Sequence, residues 1–93
     1  MDKILCIYFR DEYKDIIIDC LLEDKFDVFY YFPCKQYNTK LLQSAKEKVT
    51  GRIDYGKIEV MINDDNKDRI INKLYAMFGK DYLKMFIYDA LER

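Results

Sequence analysis

Apolar residues recur along the chain with two different spacings, and the changes between them divide the sequence into strands and helices. Residues 3–9 are almost unbroken apolar, which is typical of a central strand covered on both faces. Residues 11–24 carry apolar side chains three and four positions apart, as on one face of a helix, and Asp11 is placed to cap it. The aromatic run at residues 26–32 predicts a second strand that ends before Pro33.

The second half of the chain repeats this order of elements. Residues 53–62 contain the apolar-polar alternation of a strand, and residues 64–78 return to helical spacing. Gly79 suits the end of that helix, and residues 82–91 predict a fourth strand. The order β-α-β-β-α-β predicts an α+β, ferredoxin-like domain, with a four-stranded antiparallel sheet and two helices on one of its faces.

Residues 34–52 lie between the two halves and follow neither spacing. Residues 34–40 predict a loop, and residues 41–48 predict a helix of about two turns. Because 93 residues have room for one core, we treat residues 1–93 as a single domain that contains a variable segment at 34–52.

The predicted strand at 26–32 is apolar on both of its faces, and this predicts self-association. Val28, Tyr30 and Phe32 alternate with Phe29 and Tyr31. Two helices cover only one face of the sheet, so we expect a second copy of the chain to cover the other. The alternative is that a few aromatic side chains are tolerated at the surface.

Composition excludes several classes of protein. A hydrophobic content of 51% excludes a disordered chain, and 35% charged residues exclude an integral membrane protein. No apolar run approaches the roughly 20 residues of a membrane span, so no membrane insertion is expected. Sixteen basic and 17 acidic residues are spread evenly, so the basic surface of a nucleic-acid-binding protein is absent and no nucleic-acid partner is expected.

Few residues suit catalysis, so we predict no enzyme and no catalytic residues. Histidine is absent, and Ser44 is the only serine. Residues 51–57 match G-x-x-x-x-G-K, but a strand follows instead of a helix, so this is a connection and not a phosphate-binding loop. The alternative is a small ferredoxin-like enzyme acting on phosphate esters or nucleic acid, such as a metal-dependent nuclease with Asp11 as its carboxylate.

The three cysteines fit no disulfide framework, which predicts a reducing, cytoplasmic location. Cys6 and Cys20 lie at apolar positions and are expected to act as small hydrophobic residues. Cys34 follows Pro33 in the predicted loop, beside Lys35, whose charge would lower the pKa of the thiol. Cys34 is therefore the candidate metal or redox residue, and a symmetric oligomer would bring three such thiols together.

Residues 45–52 (AKEKVTGR) and 56–60 (GKIEV) carry a family resemblance. They resemble the A-x-E-x-V-x-G-R segment and following strand of a small family of PII-like proteins of unknown function from proteobacteria, often encoded near heavy-metal efflux systems. Residues 56–78 are more distantly similar to the third strand and second helix of PII nitrogen-regulatory proteins. The resemblance implies a homotrimer that regulates an unknown protein partner without catalysis, with a link to heavy-metal homeostasis and with residues 34–52 in place of the PII T-loop.

The resemblance also supplies the candidate ligand-binding residues. PII proteins bind adenine nucleotides with a T-G-x-x-G-D-G-K-I-F-V loop, where this chain reads FGKDYLKMFI at residues 78–87. Glu47 and Arg52 match the A-x-E-x-V-x-G-R segment, and Gly79, Lys80 and Lys84 match the nucleotide-binding loop. These five residues are the candidates for ligand binding. The central G-D-G is absent, and with it the glycines that let backbone amides approach phosphate, so we predict no tight adenine-nucleotide binding and no resident cofactor. Without a ligand, Glu47 and Arg52 are expected to form a solvated or intersubunit ion pair.

Overall fold

The computed structural model describes residues 2–38, 40 and 42–93. A short 3₁₀ turn at Asp11–Tyr13 joins the first strand to the first helix. The helices and strands are β1 (Asp2–Arg10), α1 (Lys14–Glu23), β2 (Phe29–Gln36), α2 (Ala45–Thr50), β3 (Ile53–Ile62), α3 (Lys67–Phe78) and β4 (Leu83–Ala90).

The four strands form one antiparallel sheet in the order β2-β3-β1-β4. Along the chain, α1 lies between β1 and β2, and α3 lies between β3 and β4. The central strands β1 and β3 pair with each other and join the two halves. The predicted α+β, ferredoxin-like fold is confirmed.

One face of the sheet packs against α1 and α3 and forms the core. Leu5, Ile7 and Phe9 of β1 alternate toward this face and are fully buried. The helices contribute buried residues at helical spacing, Ile17 and Leu21 from α1 and Ile70 and Leu74 from α3. We call this side the helix face.

Gly56 is required where β3 passes beneath two aromatic rings. A Cβ atom at this position would lie 2.8 Å from ring atoms of both Phe9 and Tyr31. The absence of a side chain therefore lets the Tyr31 and Phe9 rings stack across the helix face, with their centroids 6.4 Å apart.

The opposite side of the sheet, which we call the open face, is rich in exposed aromatic side chains. The strand register places Tyr8 beside Lys57, and Lys57 beside Phe32, in one row across the sheet. Tyr30 is 62% exposed and Tyr88 is 50% exposed. The centre and one end of the open face consist of Ile4, Cys6, Tyr8, Tyr30, Phe32, Lys57, Glu59, Met61, Phe86 and Tyr88.

The second strand differs from its predicted bounds at both ends. Phe26 does not begin the strand, because it closes α1: its N–H donates to the Leu21 carbonyl, and the Lys25 N–H donates to that of Leu22. These two bonds form a Schellman motif, with Lys25 in the left-handed region at φ 71°. Pro33 does not end the strand either, because β2 lies at the edge of the sheet, where a missing N–H costs no ladder bond.

Two local predictions between the elements were also wrong. Asp11 does not cap α1, since neither the 3₁₀ turn nor α1 has a side-chain cap. Its carboxylate accepts a hydrogen bond from the Tyr31 hydroxyl instead. The helix predicted at residues 41–48 lies at Ala45–Thr50, and Leu41 falls outside the described residues.

Candidate functional site

One end of the open face is covered by the protein's own chain. Ile53 and Tyr55 point to this face, yet both are buried. Residues of the 34–52 segment lie over them: Asn38 and Gln43 line a cavity with Tyr55, and Glu47 contacts Arg10 at the end of β1. The variable segment predicted from sequence thus provides a partial cover for the sheet.

Arg10 and Glu47 join this cover to the sheet. The Arg10 Nη1 donates to the Glu47 carboxylate at 3.2 and 3.4 Å. The two side chains are only 11% and 17% exposed, so solvent screens this ion pair less than one at the open surface.

Glu47 also organises the start of α2. Its carboxylate accepts a hydrogen bond from the Gln43 N–H at 2.9 Å, and its own N–H donates to the Ser44 Oγ at 3.1 Å, as in a capping arrangement. The Gln43 N–H, followed by the Arg10 guanidinium, lowers the pKa of Glu47 below its usual range. The carboxylate is therefore ionised at neutral pH and connects the helix cap to the sheet.

A cavity of about 500 Å³ lies beside Arg10. Two cations, Arg10 and Lys84, and one acid, Asp81, face it. The Lys84 Nζ donates to the Lys80 carbonyl at 3.4 Å, which keeps the ammonium near the chain that leads into β4. The complete lining is Arg10, Asn38, Gln43, Tyr55, Asp81, Tyr82 and Lys84. Two cations and several hydrogen-bond donors at one cavity suit a small anion.

The residues predicted from the resemblance are only partly brought together. Glu47 and Lys84 both lie around Arg10. Arg52 lies outside this cavity, in a groove that it lines with Glu47, Lys35 and Asp54, and Glu47 pairs with Arg10 where a pair with Arg52 was expected.

Gly79 and Lys80 have mainly structural surroundings. Gly79 ends α3 at φ 77°, and its N–H donates to the Tyr75 carbonyl at 2.8 Å. The Lys80 ammonium lies 5.6 Å from the centre of the Tyr75 ring. The Gly79 backbone and the Lys80 side chain are thus accounted for by contacts around the end of α3.

Cys34 lies in β2, on the open face, and not in a loop. Lys35, the expected neighbouring cation, pairs with Asp54, and Lys57 is the cation that acts on the thiol. Burial outweighs that cation and raises the pKa of Cys34, which corrects the expected lowering. Within residues 2–38, 40 and 42–93, groups of three or more His, Cys, Asp or Glu side chains suited to a metal ion are absent.

Sequence reasoning missed Arg10, Gln43, Tyr55 and Tyr82. Arg10 carried one usable signal, since it is the first charged residue after the apolar strand at 3–9. The Ser44-x-x-Glu47 spacing also indicated a capping box. Tyr55 and Tyr82 gave no signal, because their place at one cavity depends on how β3 and β4 pair with β1.

Comparison with known proteins agrees with this fold. The family model described as a protein of unknown function, DUF3240, matches residues 1–92. No curated protein matches the chain. No described helix has the length and apolar character needed to cross a membrane.

Several solved structures share the architecture at low sequence identity. A DUF3240 family protein from Shewanella baltica has a TM-score of 0.75 at 14% identity, covering 99% of this chain and 92% of its own. CPII, a nitrogen regulatory PII-like protein from Thiomonas intermedia, has a TM-score of 0.75 at 14% identity, covering 99% and 93%, and was solved with ADP, AMP and bicarbonate. A putative PII-like signalling protein from Thermus thermophilus has a TM-score of 0.70 at 11% identity, covering 94% and 84%. The chain therefore belongs to the DUF3240 family and has the fold of PII-like proteins.

Proposed function

We propose that this protein is a non-enzymatic, PII-like regulator that controls a partner protein through its 34–52 segment. The observation that carries the proposal is the contact between Arg10 and Glu47. It attaches the segment to the sheet at the edge of a cavity that contains the same arginine. A ligand in this cavity and the position of α2 are thereby linked through one guanidinium.

The effector class we propose is a small oxyanion, such as a carboxylate or bicarbonate. Arg10 and Lys84 supply positive charge on two sides of the cavity. An anion there competes with Glu47 for Arg10, so its binding favours release of α2 and exposure of the segment. The bicarbonate in the Thiomonas neighbour supports this ligand class.

Adenine nucleotides remain weak ligands in this proposal. Gly79 is the only glycine between residues 78 and 87, and Lys80 is directed at Tyr75. The chain lacks the run of glycines that would let several backbone amides approach a polyphosphate.

We also propose that the working form is a homotrimer, with a dimer as the alternative. The exposed aromatic part of the open face supports self-association, because apolar area left in water forgoes about 25 cal/mol per Å². Three unpaired thiols support a cytoplasmic location. A link to heavy-metal homeostasis is supported by the resemblance alone, with Cys34 as the residue to test.

Calorimetric titration with bicarbonate, acetate and Mg-ATP tests the effector class. We expect measurable binding of a small oxyanion and no micromolar affinity for Mg-ATP. The Lys84→Gln variant is expected to weaken oxyanion binding, whereas Glu47→Gln strengthens it by removing the competing carboxylate. Arg52→Gln, which removes a cation outside the lining of this cavity, is the matched control and leaves the affinity unchanged.

Lys84→Gln and Glu47→Gln are expected to change the oxyanion affinity in opposite directions, so either result can contradict the proposal. Equal losses in Lys84→Gln and Glu47→Gln would show that Glu47 holds the ligand and does not compete with it. Micromolar Mg-ATP binding that is lost in Lys80→Ala would replace the oxyanion with a nucleotide.

A further inference from the structure

Two sulfur atoms meet in the helix layer, and neither of their residues lines the cavity at Arg10. The Cys20 Sγ of α1 lies 3.3 Å from the Met77 Sδ of α3. Cys20 is only 4% exposed, whereas Met77 is 52% exposed. The contact therefore joins a buried thiol to a half-exposed thioether, whose unbranched side chain has three rotatable bonds.

We propose that Cys20 and Met77 form a two-sulfur site for a soft monovalent cation, Cu(I), which links α1 to α3. Thiolate and thioether are soft ligands that favour Cu(I), Zn and Fe–S clusters over Mg, Ca and Mn. This site is independent of the proposed effector cavity, and either one can fail without the other.

The single negative charge of the Cys20 thiolate favours a monovalent ion. A thiolate and a monovalent cation sum to zero, so the nearly buried site takes up no net charge. A divalent ion leaves one positive charge and needs further ligands. Across the described residues, groups of three or more His, Cys, Asp or Glu side chains that could provide such ligands are absent.

The electrostatic surroundings favour approach of a cation. Asp19, Glu23 and Asp24 all act on the Cys20 thiol, and Lys73 opposes them. Lys73 is itself held by Glu23 at 3.1 Å and by Asp24 at 3.2 Å. Arg69 also lies 3.5 Å from Asp24, so three carboxylates face two cations and leave one net negative charge beside the thiol.

Metal binding requires only a small increase in the distance between the two sulfur atoms. With metal–sulfur bonds of about 2.3 Å, a linear site would separate the sulfurs by about 4.6 Å. Rotation of the half-exposed Met77 side chain supplies the added distance while Cys20 stays in place. Both residues lie in the helix layer, so assembly through the open face leaves the site accessible.

Binding exchanges a proton for the metal ion. The thiol S–H bond breaks, a sulfur–metal bond forms, and the proton passes to the buffer.

The test uses Ag(I) as a stable probe on the full chain in chloride-free buffer, with Cys34→Ser removing the exposed thiol. Methyl-labelled methionine NMR should show the Met77 methyl shifting at one equivalent of Ag(I) while the Met61 and Met85 methyls stay. A Met77 methyl that does not move while Ag(I) binds would overturn the site.

Competition for Cu(I) against a chelator of known affinity gives the second measurement. Met77→Leu should weaken binding at least tenfold and Cys20→Ala should abolish it, while Met61→Leu is the matched control and has no effect. Met77→Leu conserves side-chain volume, so this variant is expected to fold even if Cys20→Ala is destabilised. Unchanged affinity in Met77→Leu, or binding that survives Cys20→Ala, would show that the contact is only core packing.

Discussion

The two faces of the sheet are formed by the same four strands but are covered differently. On the helix face, Leu5, Ile7 and Phe9 are fully buried by α1 and α3. On the open face, alternate residues of the same strands include Tyr30 and Tyr88, which are at least half exposed. The chain thus covers the centre of one face with two helices and covers the other only at the end held by Arg10 and Glu47.

This difference separates stability from function. The helix face buries its apolar side chains within one copy of the chain, so its contacts determine whether the domain folds. The open face combines an exposed aromatic surface with a small cover held by one ion pair. Such a cover is the part of the molecule that a ligand can move at low energetic cost.

The largest expected effect comes from removing side-chain volume on the helix face. Leu74→Ala deletes a fully buried side chain between α3 and the sheet, so we expect a loss of about 2–5 kcal/mol in the free energy of unfolding. Leu22→Ala, at an exposed position of α1, is the matched control and should change it by less than about 0.5 kcal/mol. Chemical denaturation measures both, and equal effects would show that the helix face is not the stabilising core.

An intermediate effect is expected where the chain covers the open face. The pKa of Glu47 is lowered in the folded protein, so its stabilising contribution is present above the unfolded pKa of about 4.5 and is lost as pH falls through the folded value. Amide hydrogen exchange in residues 43–50 should therefore become faster below about pH 4.5, after correction for the intrinsic rate.

The Glu47→Gln variant provides the control for that experiment. It should show fast exchange in the same residues already at pH 7, with no further acid-dependent step. Protection that is equal in the variant and the parent protein at pH 7 would mean that the Arg10 contact does not hold α2.

The smallest expected effect is a gain in stability at the end of α1. Lys25 adopts a left-handed conformation at φ 71°, which is unfavourable for a residue with a side chain. Lys25→Gly should therefore raise the free energy of unfolding by about 0.5–1 kcal/mol, since the Schellman bonds to Leu21 and Leu22 use only the backbone. A thermal unfolding midpoint that falls in the variant would indicate that the Lys25 side chain is needed.

The sequence was sufficient for the order of the elements but not for their ends. Helical and strand periods are local properties, so the position of α3 and the alternation in β3 followed from spacing alone. Phe26 was assigned to a strand because a Schellman motif with lysine in place of glycine leaves no sequence signal. Pro33 was taken as a strand end because the edge position of β2 is a property of the sheet.

The site was less predictable for the same reason. Glu47 and Lys84 were found through the family resemblance, but their shared neighbour Arg10 is 37 residues from Glu47 along the chain. The resemblance also grouped Arg52 and Lys80 with them, although Arg52 lines a different groove and the Lys80 ammonium lies over the Tyr75 ring. Contacts that form when an irregular segment folds over a sheet follow no periodic spacing in the sequence, so spacing cannot predict them.

The most direct test of the contrast between the faces is the mass of the protein in solution. Light scattering of the parent chain at micromolar concentration should give three times 11.3 kDa. Tyr30→Lys and Tyr88→Lys should reduce it to the monomer mass, while Leu22→Lys on the helix layer leaves it unchanged. A monomer mass for the parent chain, or a trimer that survives both open-face substitutions, would contradict the account.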